Sequence, residues 1–240
     1  MKRFFVFAMF LWTGIMGVSA QEDRCDVNGD GVVNINDVIY VVDHVLGKGH
    51  ADTSTGEAGE AIDLGLPSGT KWASCNVGAT KPEEYGSHYA WGETEEKEVY
   101  SEDTYKYYQY GSYVSLGDDI SGTEYDVAHV KWGGNWVMPT QEECKELINN
   151  CTSEWTTLNG VNGRKFTSNI NGNSIFLPAA GYRWHGELNG VGTRGYCWSS
   201  TQNPDDSLDA SDLYFHSGNA YWNGYGYRRN GQSVRPVVRN

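Results

Sequence analysis

The sequence has 240 residues, of which 31 are acidic and 18 are basic, so its formal net charge at pH 7 is −13. A chain this acidic is repelled by phosphate backbones and anionic lipids, which argues against nucleic acid as a partner. Its five cysteines are too few for a disulfide-based scaffold, and its length suffices for one hydrophobic core and a small appendage.

The N-terminal residues have the pattern of a signal peptide. Lys2 and Arg3 precede an apolar run, Phe4–Val18, and Val18-Ser19-Ala20 places small residues where a signal peptidase cleaves. The run is shorter than the roughly 20 residues that span a bilayer, so a membrane anchor is the less favoured alternative. We predict that residues 1–20 are removed and that the protein is secreted, extracellular or at the cell surface, without spanning the membrane.

Residues 26–37, DVNGDGVVNIND, have the spacing of a calcium-binding loop. Calcium accepts six to eight oxygen ligands, and a twelve-residue loop supplies them from alternating positions. Gly31, at the sixth position, permits the sharp turn that such a loop needs. The predicted metal ligands are Asp26, Asn28, Asp30, the carbonyl of Val32, Asn34 and Asp37. The alternative is a polar turn that binds no ion.

Together with the following segment VIYVVDHVLGK, this loop resembles the calcium-binding repeat of type I dockerins over residues 24–47. Dockerins dock onto cohesin modules of polysaccharide-degrading assemblies, so the resemblance implies Ca²⁺ as cofactor and a cohesin-like module as a possible partner. Dockerins carry two repeats, whereas this chain has one. A unit this small is below the roughly 40 residues that usually fold alone, so its apolar side must be covered by another surface.

Residues 48–60 are small and polar and are predicted to form a linker, and residues 61–240 are predicted to form one larger domain. Short alternating apolar runs separated by Asn-Gly turns favour strands in this domain. The predicted strands are Ala61–Leu66, Lys71–Val77, the hairpin Phe166–Asn169 with Ser174–Leu177, and the terminal Ser233–Val238.

Two helices are predicted among these strands. Ser121–Glu124 and Thr140–Glu143 both have capping-box spacing, in which a hydroxyl and a carboxylate satisfy free amides at a helix start. After the second box, Cys144, Leu147 and Ile148 fall on one apolar face. Two helices among many short strands indicate an α+β domain.

The five cysteines, Cys25, Cys75, Cys144, Cys151 and Cys197, leave at least one thiol unpaired in a monomer. Cys144 and Cys151 are about 10.5 Å apart along a continuous helix, which is too far for a disulfide unless the helix ends before Cys151. The sequence therefore allows both alternatives, free buried thiols and disulfides.

Six segments occur in an order that resembles the FISUMP, or major-paralogous-domain, type of bacterial secreted proteins. They are LGLPSGTKWASCNVGA, YGSHYAWGET, KWGGNWVMPTQEE, NGNSIFLPAAGYR, GYCWSST and GQSVRPVV, and they cover most of residues 61–240. The resemblance implies a C-type-lectin-like fold in which the first and last strands pair, two helices flank them and the later strands present the ligand surface.

The segment 212–229 is the predicted binding face. Its large amphipathic rings lie among small polar residues, a composition typical of binding surfaces, although ordinary strand packing would also use such rings. Strand alternation places Tyr221, Asn223, Tyr225 and Tyr227 on one face, unless a bulge at Asn223-Gly224 breaks the register. The predicted ligand-binding residues are Tyr214, His216, Asn219, Tyr221, Trp222, Asn223, Tyr225 and Tyr227.

No catalytic motif is recognisable, so we predict a binding protein rather than an enzyme. The calcium-dependent sugar site of C-type lectins is not matched, because Gln202–Asp205 is out of register and Trp222-Asn223-Gly224 lacks an acid. Four acids could supply paired carboxylates for glycoside hydrolysis, but a solvated acidic loop is the favoured interpretation. These four are Asp205, Asp206, Asp209 and Asp212.

Two functions follow from these patterns. The first is a secreted or cell-surface protein whose large domain recognises a glycan or a surface protein through its C-terminal aromatic strands. The second is a non-catalytic component of a polysaccharide-degrading assembly, joined to it through the dockerin-like repeat.

Overall fold

The computed structural model describes residues 59–239. These residues lie in the second of the two units into which the chain divides, Thr55–Asn240. The predicted signal peptide, the calcium loop with its six metal ligands, and most of the linker lie outside the described residues, so those predictions stay predictions. Within residues 59–239, no helix combines the length and the apolar character that crossing a bilayer requires.

Fourteen strands and two helices are found in the described residues. The strands in the first half are β1 (Ala61–Ile62), β2 (Lys71–Ala73), β3 (Tyr108–Gln109), β4 (Ser112–Tyr113) and β5 (Trp136–Val137). Those in the second half are β6 (Cys151–Leu158), β7 (Val161–Ser168), β8 (Ser174–Pro178), β9 (Tyr182–Trp184), β10 (Glu187–Asn189), β11 (Arg194–Gln202), β12 (Asp209–His216), β13 (Ala220–Tyr227) and β14 (Val237–Val238). The helices are α1 (Val127–Trp132) and α2 (Gln141–Asn150).

The named strands form five small sheets, and every pairing between them is antiparallel. One sheet has the order β1-β2-β14-β5, two have three strands (β6-β7-β8 and β11-β12-β13), and two are hairpins (β3-β4 and β9-β10). The last strand, β14, pairs with β2 and β5 and not with β1, so the expected pairing of first and last strands is wrong.

The predicted fold class, an α+β domain of C-type-lectin-like fold, is wrong. The regular secondary structure of the described residues is mostly strand, arranged in these small antiparallel sheets, and the two helices have only six and ten residues. Glycine turns are one physical reason, because they divide the chain into short hairpins. Asn159 and Gly160, with φ of 48° and 85°, turn β6 into β7.

Only one of the two predicted capping boxes exists. Thr140 caps α2, and its hydroxyl and the Glu143 carboxylate satisfy each other's backbone amides as predicted. Ser121–Glu124 does not start a helix. Asp126 caps α1 instead: its carboxylate accepts from the backbone amides of Ala128 and His129, and also from those of Gly122 and Met138. A single buried acid therefore fixes both the helix start and the turn before it.

The local predictions elsewhere are partly confirmed. The hairpin Phe166–Asn169 with Ser174–Leu177 is confirmed as part of β7 and β8. The strand predicted at Ala61–Leu66 is limited to Ala61–Ile62, because the Asp63 carboxylate accepts from the Gly65 amide and bends the chain. The aromatic run Tyr100–Tyr113 folds back on itself in the β3–β4 hairpin, and its Tyr100, Tyr105 and Tyr107 are buried.

The core joins α2 to two sheets. Cys144 and Leu147 on α2 pack with Phe166 of β7 and with Leu213 and Phe215 of β12, and Ile148 packs against them, as its predicted face requires. Helix α2 ends at Asn150, so Cys151 begins β6. Among the described residues the four cysteines are buried free thiols, and Cys25 lies outside the described part.

Candidate functional site

The sheet β11-β12-β13 has one face toward the core and one face that carries polar and aromatic side chains. Paired residues on antiparallel strands point to the same face. Trp198 pairs with Asp212, Tyr196 with Tyr214, and Arg194 with His216, so these side chains share a face that we call the outer face. Leu213 and Phe215, on the other side of β12, are fully buried in the core.

A bulge in β13 changes which of the predicted residues lie on the outer face. Asp212 pairs with Gly224, but Tyr214 pairs with Tyr221, so Trp222 and Asn223 together oppose one residue of β12. The bulge therefore begins one residue before the predicted position. Tyr221 lies on the outer face beside Tyr214, whereas Tyr225 pairs with Ser211 and belongs to the opposite face.

The predicted binding residues are consequently divided. Exposure alternates along β13 as predicted. The prediction that Tyr221, Asn223, Tyr225 and Tyr227 share one face of the strand is wrong, because the bulge separates them. Trp222 packs against the core, with the Lys145 ammonium 5.0 Å from its ring centre. Tyr225 receives a hydrogen bond from the Gln141 side chain on α2, and Asn219 is in the exposed turn between β12 and β13.

Four tyrosines form a continuous aromatic surface on the outer face, and we call them the tyrosine stack: Tyr182, Tyr196, Tyr214 and Tyr221. Successive ring centres are 5.2, 4.9 and 5.8 Å apart, and the rings of Tyr214 and Tyr221 are nearly parallel, at 13°. His216 lies beside Tyr214 and Tyr221. Tyr221 is 40% exposed and the other three residues are half-buried, so the stack is partly accessible to solvent.

The stack leads into a cavity of about 370 Å³, which we call the Asp212 pocket. Its walls come from β9, β11, β12, the end of β13 and the segment after it. The lining residues are Tyr182, Tyr196, Asp209, Asp212, Tyr225, Gly226, Tyr227, Asn230 and Gln232. Two rings of the tyrosine stack thus form one wall, and carboxyl and amide side chains form the floor.

The Asp212 carboxyl lies against the backbone of strand β13 at Gly224 and Gly226. Its Oδ2 accepts a hydrogen bond of 2.8 Å from Gln232 Nε2. A Cβ at Gly224 or Gly226 would collide with Asp212 or Gln232, so only glycine permits this close approach of side chain and backbone. Burial raises the pKa of Asp212 to about 7, the Gln232 amide lowers it, and the charge of Asp209 raises it.

Four side-chain oxygens in this pocket are buried and accept no hydrogen bond from the described residues. They are Asp209 Oδ1, Asp212 Oδ1, Asn230 Oδ1 and Gln232 Oε1. Buried polar atoms are normally satisfied, so a group of them in one cavity indicates a place for a ligand that donates hydrogen bonds. Within residues 59–239 no cluster of three or more His, Cys, Asp or Glu side chains has the geometry of a metal site.

The sequence patterns identified only part of this site. Asp209 and Asp212 were considered, but as a solvated loop; that interpretation is wrong for Asp212, which lies in β12 and is 2% exposed. Tyr182, Tyr196, Asn230 and Gln232 were missed, because they come from separate segments that only the fold brings together. The one local indication was the pair of small residues, Gly224 and Gly226, in an otherwise aromatic strand.

A larger cleft of about 540 Å³ lies between the N-terminal strand β1 and the sheet β6-β7-β8. Glu154 and Lys165 in its wall are cross-strand partners of opposite charge. None of the described residues that line it has a buried polar side-chain atom without a partner. The Asp212 pocket is therefore the better candidate site, although it is smaller.

Comparisons with known proteins assign no activity to this site. No curated protein matches the chain. No solved structure matches it either. Residues 150–237, which span the whole of β6–β13 and therefore the pocket and the stack, match a family model described as a domain of unknown function (DUF8237).

Proposed function

We propose that residues 59–239 form a carbohydrate-binding domain whose site consists of the tyrosine stack and the Asp212 pocket. The observation that carries this proposal is the direct continuity of the two: a partly exposed row of rings ends at a cavity whose lining residues include four unpartnered hydrogen-bond acceptors. Sugars present apolar C–H faces, which pack on aromatic rings, and hydroxyls, which need polar partners.

The shape of the site favours a glycan over a surface protein as the ligand. A specific protein interface usually buries about 800 Å² on each partner, over a broad surface. The Asp212 pocket is instead a concave site with convergent polar groups, as is typical for small ligands. Tyrosine is suited to its rim, because the ring packs on the ligand while the hydroxyl stays in water.

We propose that the whole protein is secreted or displayed at the cell surface, where it meets such glycans. The apolar N-terminal run, which has the pattern of a signal peptide, supports this proposal. The dockerin-like repeat would then connect the carbohydrate-binding domain to a polysaccharide-degrading assembly, which combines the two functions suggested by the sequence.

Replacing Tyr221 with alanine is expected to weaken glycan binding by about 2 kcal/mol, or roughly 30-fold, because it removes the most exposed ring of the stack. A glycan array with the full chain selects the ligand, and calorimetry then compares the variants. Tyr110→Ala is the matched control: Tyr110 is 104% exposed at the β3–β4 turn, away from the stack. Equal affinity of Tyr221→Ala and wild type would contradict the proposed site.

The predicted calcium loop has a separate test. Calorimetry with the chain from Gln21 onward is expected to show one calcium site, because the oxygens of Asp26–Asp37 supply a single coordination shell. Asp26→Ala with Asp37→Ala should abolish it, whereas the same double change at the exposed Asp205 and Asp206 should not. Unchanged calcium uptake after the first pair of substitutions would refute the loop assignment.

A further inference from the structure

We infer that the Asp212 pocket binds a primary ammonium group, and that the ligands of this domain are therefore amino sugars whose amine carries no acetyl group. This inference rests on the proposed function and specifies the chemical class of its ligand.

The first argument is that the buried side-chain atoms left without a partner in the residues lining the pocket are all acceptors. The Gln232 amide orientation is fixed, because its Nε2 donates to Asp212 Oδ2, so Gln232 Oε1 is the atom left without a partner. The buried atoms of Asp209, Asp212 and Asn230 that lack a hydrogen-bond partner are oxygens as well. A hydroxyl both donates and accepts, whereas an ammonium group donates three hydrogen bonds and accepts none. The ammonium group is thus the better complement to these four unpartnered acceptors.

The second argument is that the carboxyl groups of the pocket have no ion-pair partner among the described residues. Neither Asp209 nor Asp212 forms an ion pair among residues 59–239. No lysine or arginine lines the pocket. Two cations lie near the pocket. Arg194 interacts with the hydroxyl of Tyr196. Burial raises the pKa of Asp209 and the charge of Arg229 lowers it, but the Arg229 guanidinium bonds Glu102 and the Tyr113 hydroxyl and lies 4.2 Å from the centre of the Tyr227 ring. A cationic ligand would supply the missing charge.

Burial makes an uncompensated negative charge on Asp212 costly. Asp212 and Gln232 are each 2% exposed, and burial raises the pKa of Asp212 because its ionised form is poorly solvated. An ammonium group in the pocket stabilises the ionised carboxylate and therefore binds with coupled loss of the Asp212 proton. The rings of Tyr182 and Tyr196, which form the pocket wall, add the attraction of an aromatic face for a cation.

A lysine side chain could also place an ammonium group in the pocket, but an amino sugar additionally contacts the rest of the outer face. Tyr196 continues into Tyr214 and Tyr221, so the aromatic surface extends past the pocket by two further rings. A sugar with its amine in the pocket places the neighbouring units of the chain on those rings. The stack therefore favours an oligosaccharide over a peptide as the source of the ammonium group.

Calorimetry on the full chain at about pH 7 tests this inference with two ligands of equal length, a β-1,4-linked glucosamine tetramer and its fully N-acetylated counterpart. We expect the wild type to bind the glucosamine tetramer at least tenfold more tightly, because acetylation removes the charge. Asp212→Asn should abolish this preference. Asp205→Asn, which removes the same charge from an exposed position, should retain it and so rule out general attraction of a cationic sugar to an acidic protein.

Equal binding of the two tetramers, or a preference that survives in Asp212→Asn with a normal melting temperature, would overturn the ammonium inference while the proposed carbohydrate-binding function stands. Binding of lysine amide as tight as that of the glucosamine tetramer would overturn the choice of a sugar. If neither tetramer binds and the glycan array is also negative, the proposed function itself fails.

Discussion

Replacing Asp212 with asparagine is expected to raise the free energy of unfolding at pH 8 by about 2 kcal/mol and to leave it unchanged or lower at pH 5. Burial raises the pKa of this carboxyl from 3.8 to about 7 in the folded protein. Between these values the folded state binds a proton that the unfolded chain has lost, so stability falls as the pH rises. Above pH 7 the loss is complete, at about 4 kcal/mol for roughly three pH units. Asparagine avoids that loss, but the cost of burying its polar amide group offsets part of the gain.

Urea denaturation of wild type and Asp212→Asn at several pH values measures this effect. The difference between the two proteins is the informative quantity, because His88 contributes a pH dependence of opposite sign. Burial lowers the pKa of His88 to about 4, so its contribution to stability grows as the pH rises from 4 to 6.5. Asp205→Asn is the matched control and should be neutral at both pH values. A variant less stable than wild type at pH 8 would show that the folded protein stabilises the Asp212 charge.

Replacing Arg235 with methionine is expected to lower the free energy of unfolding by about 4 kcal/mol. Arg235 is 0% exposed and donates to three neutral oxygens, those of the Asn76 side chain and of the Ala73 and Phe176 carbonyls. Each hydrogen bond from a charged group contributes about 1.5–3 kcal/mol, and methionine leaves all three acceptors without a donor. Removing a buried cation recovers part of this loss, since burial lowers the pKa of Arg235 to about 10.

Chemical denaturation compares this variant with Arg194→Met, a change at an exposed arginine that should alter stability by less than about 0.5 kcal/mol. Arg235→Lys keeps the charge but lacks the planar arrangement of donors, so it should lie between wild type and Arg235→Met. If Arg235→Met does not fold, the lysine variant still gives a measurable loss. Stabilities of both variants within 1 kcal/mol of wild type would contradict a structural role for these three hydrogen bonds.

Local features were predictable from the sequence where a few adjacent residues determine the structure. Thr140 and Glu143 complete a capping box within one turn, and α2 begins there as predicted. Asn159-Gly160 forms a two-residue turn because both residues adopt positive φ. The predicted helix start at Ser121 failed for a similar local reason: the Asp126 carboxylate, which accepts four backbone amide hydrogen bonds, caps the helix instead.

The candidate site was less predictable, because it depends on residues that are distant in the sequence. Tyr182 and Gln232 are separated by some fifty residues and meet only because β9, β11 and the segment before β14 surround one cavity. Alternation along β13 could not locate the bulge, which moves Tyr221 to the face opposite Tyr225. The burial of Asp212 likewise follows from Trp198, Gln232 and the two glycines above it, and no pattern around Asp212 itself indicates that it is buried.

A crystal structure of the full chain with the glycan selected by the array tests the proposed carbohydrate-binding site most directly. We predict a sugar ring packed against Tyr214 and Tyr221, with the polar groups of the adjacent unit hydrogen-bonded to Asp212 or Gln232 in the pocket. A glycan bound instead in the cleft between β1 and the sheet β6-β7-β8, beside Glu154 and Lys165, would contradict the assignment of the site to the outer face of β11-β12-β13.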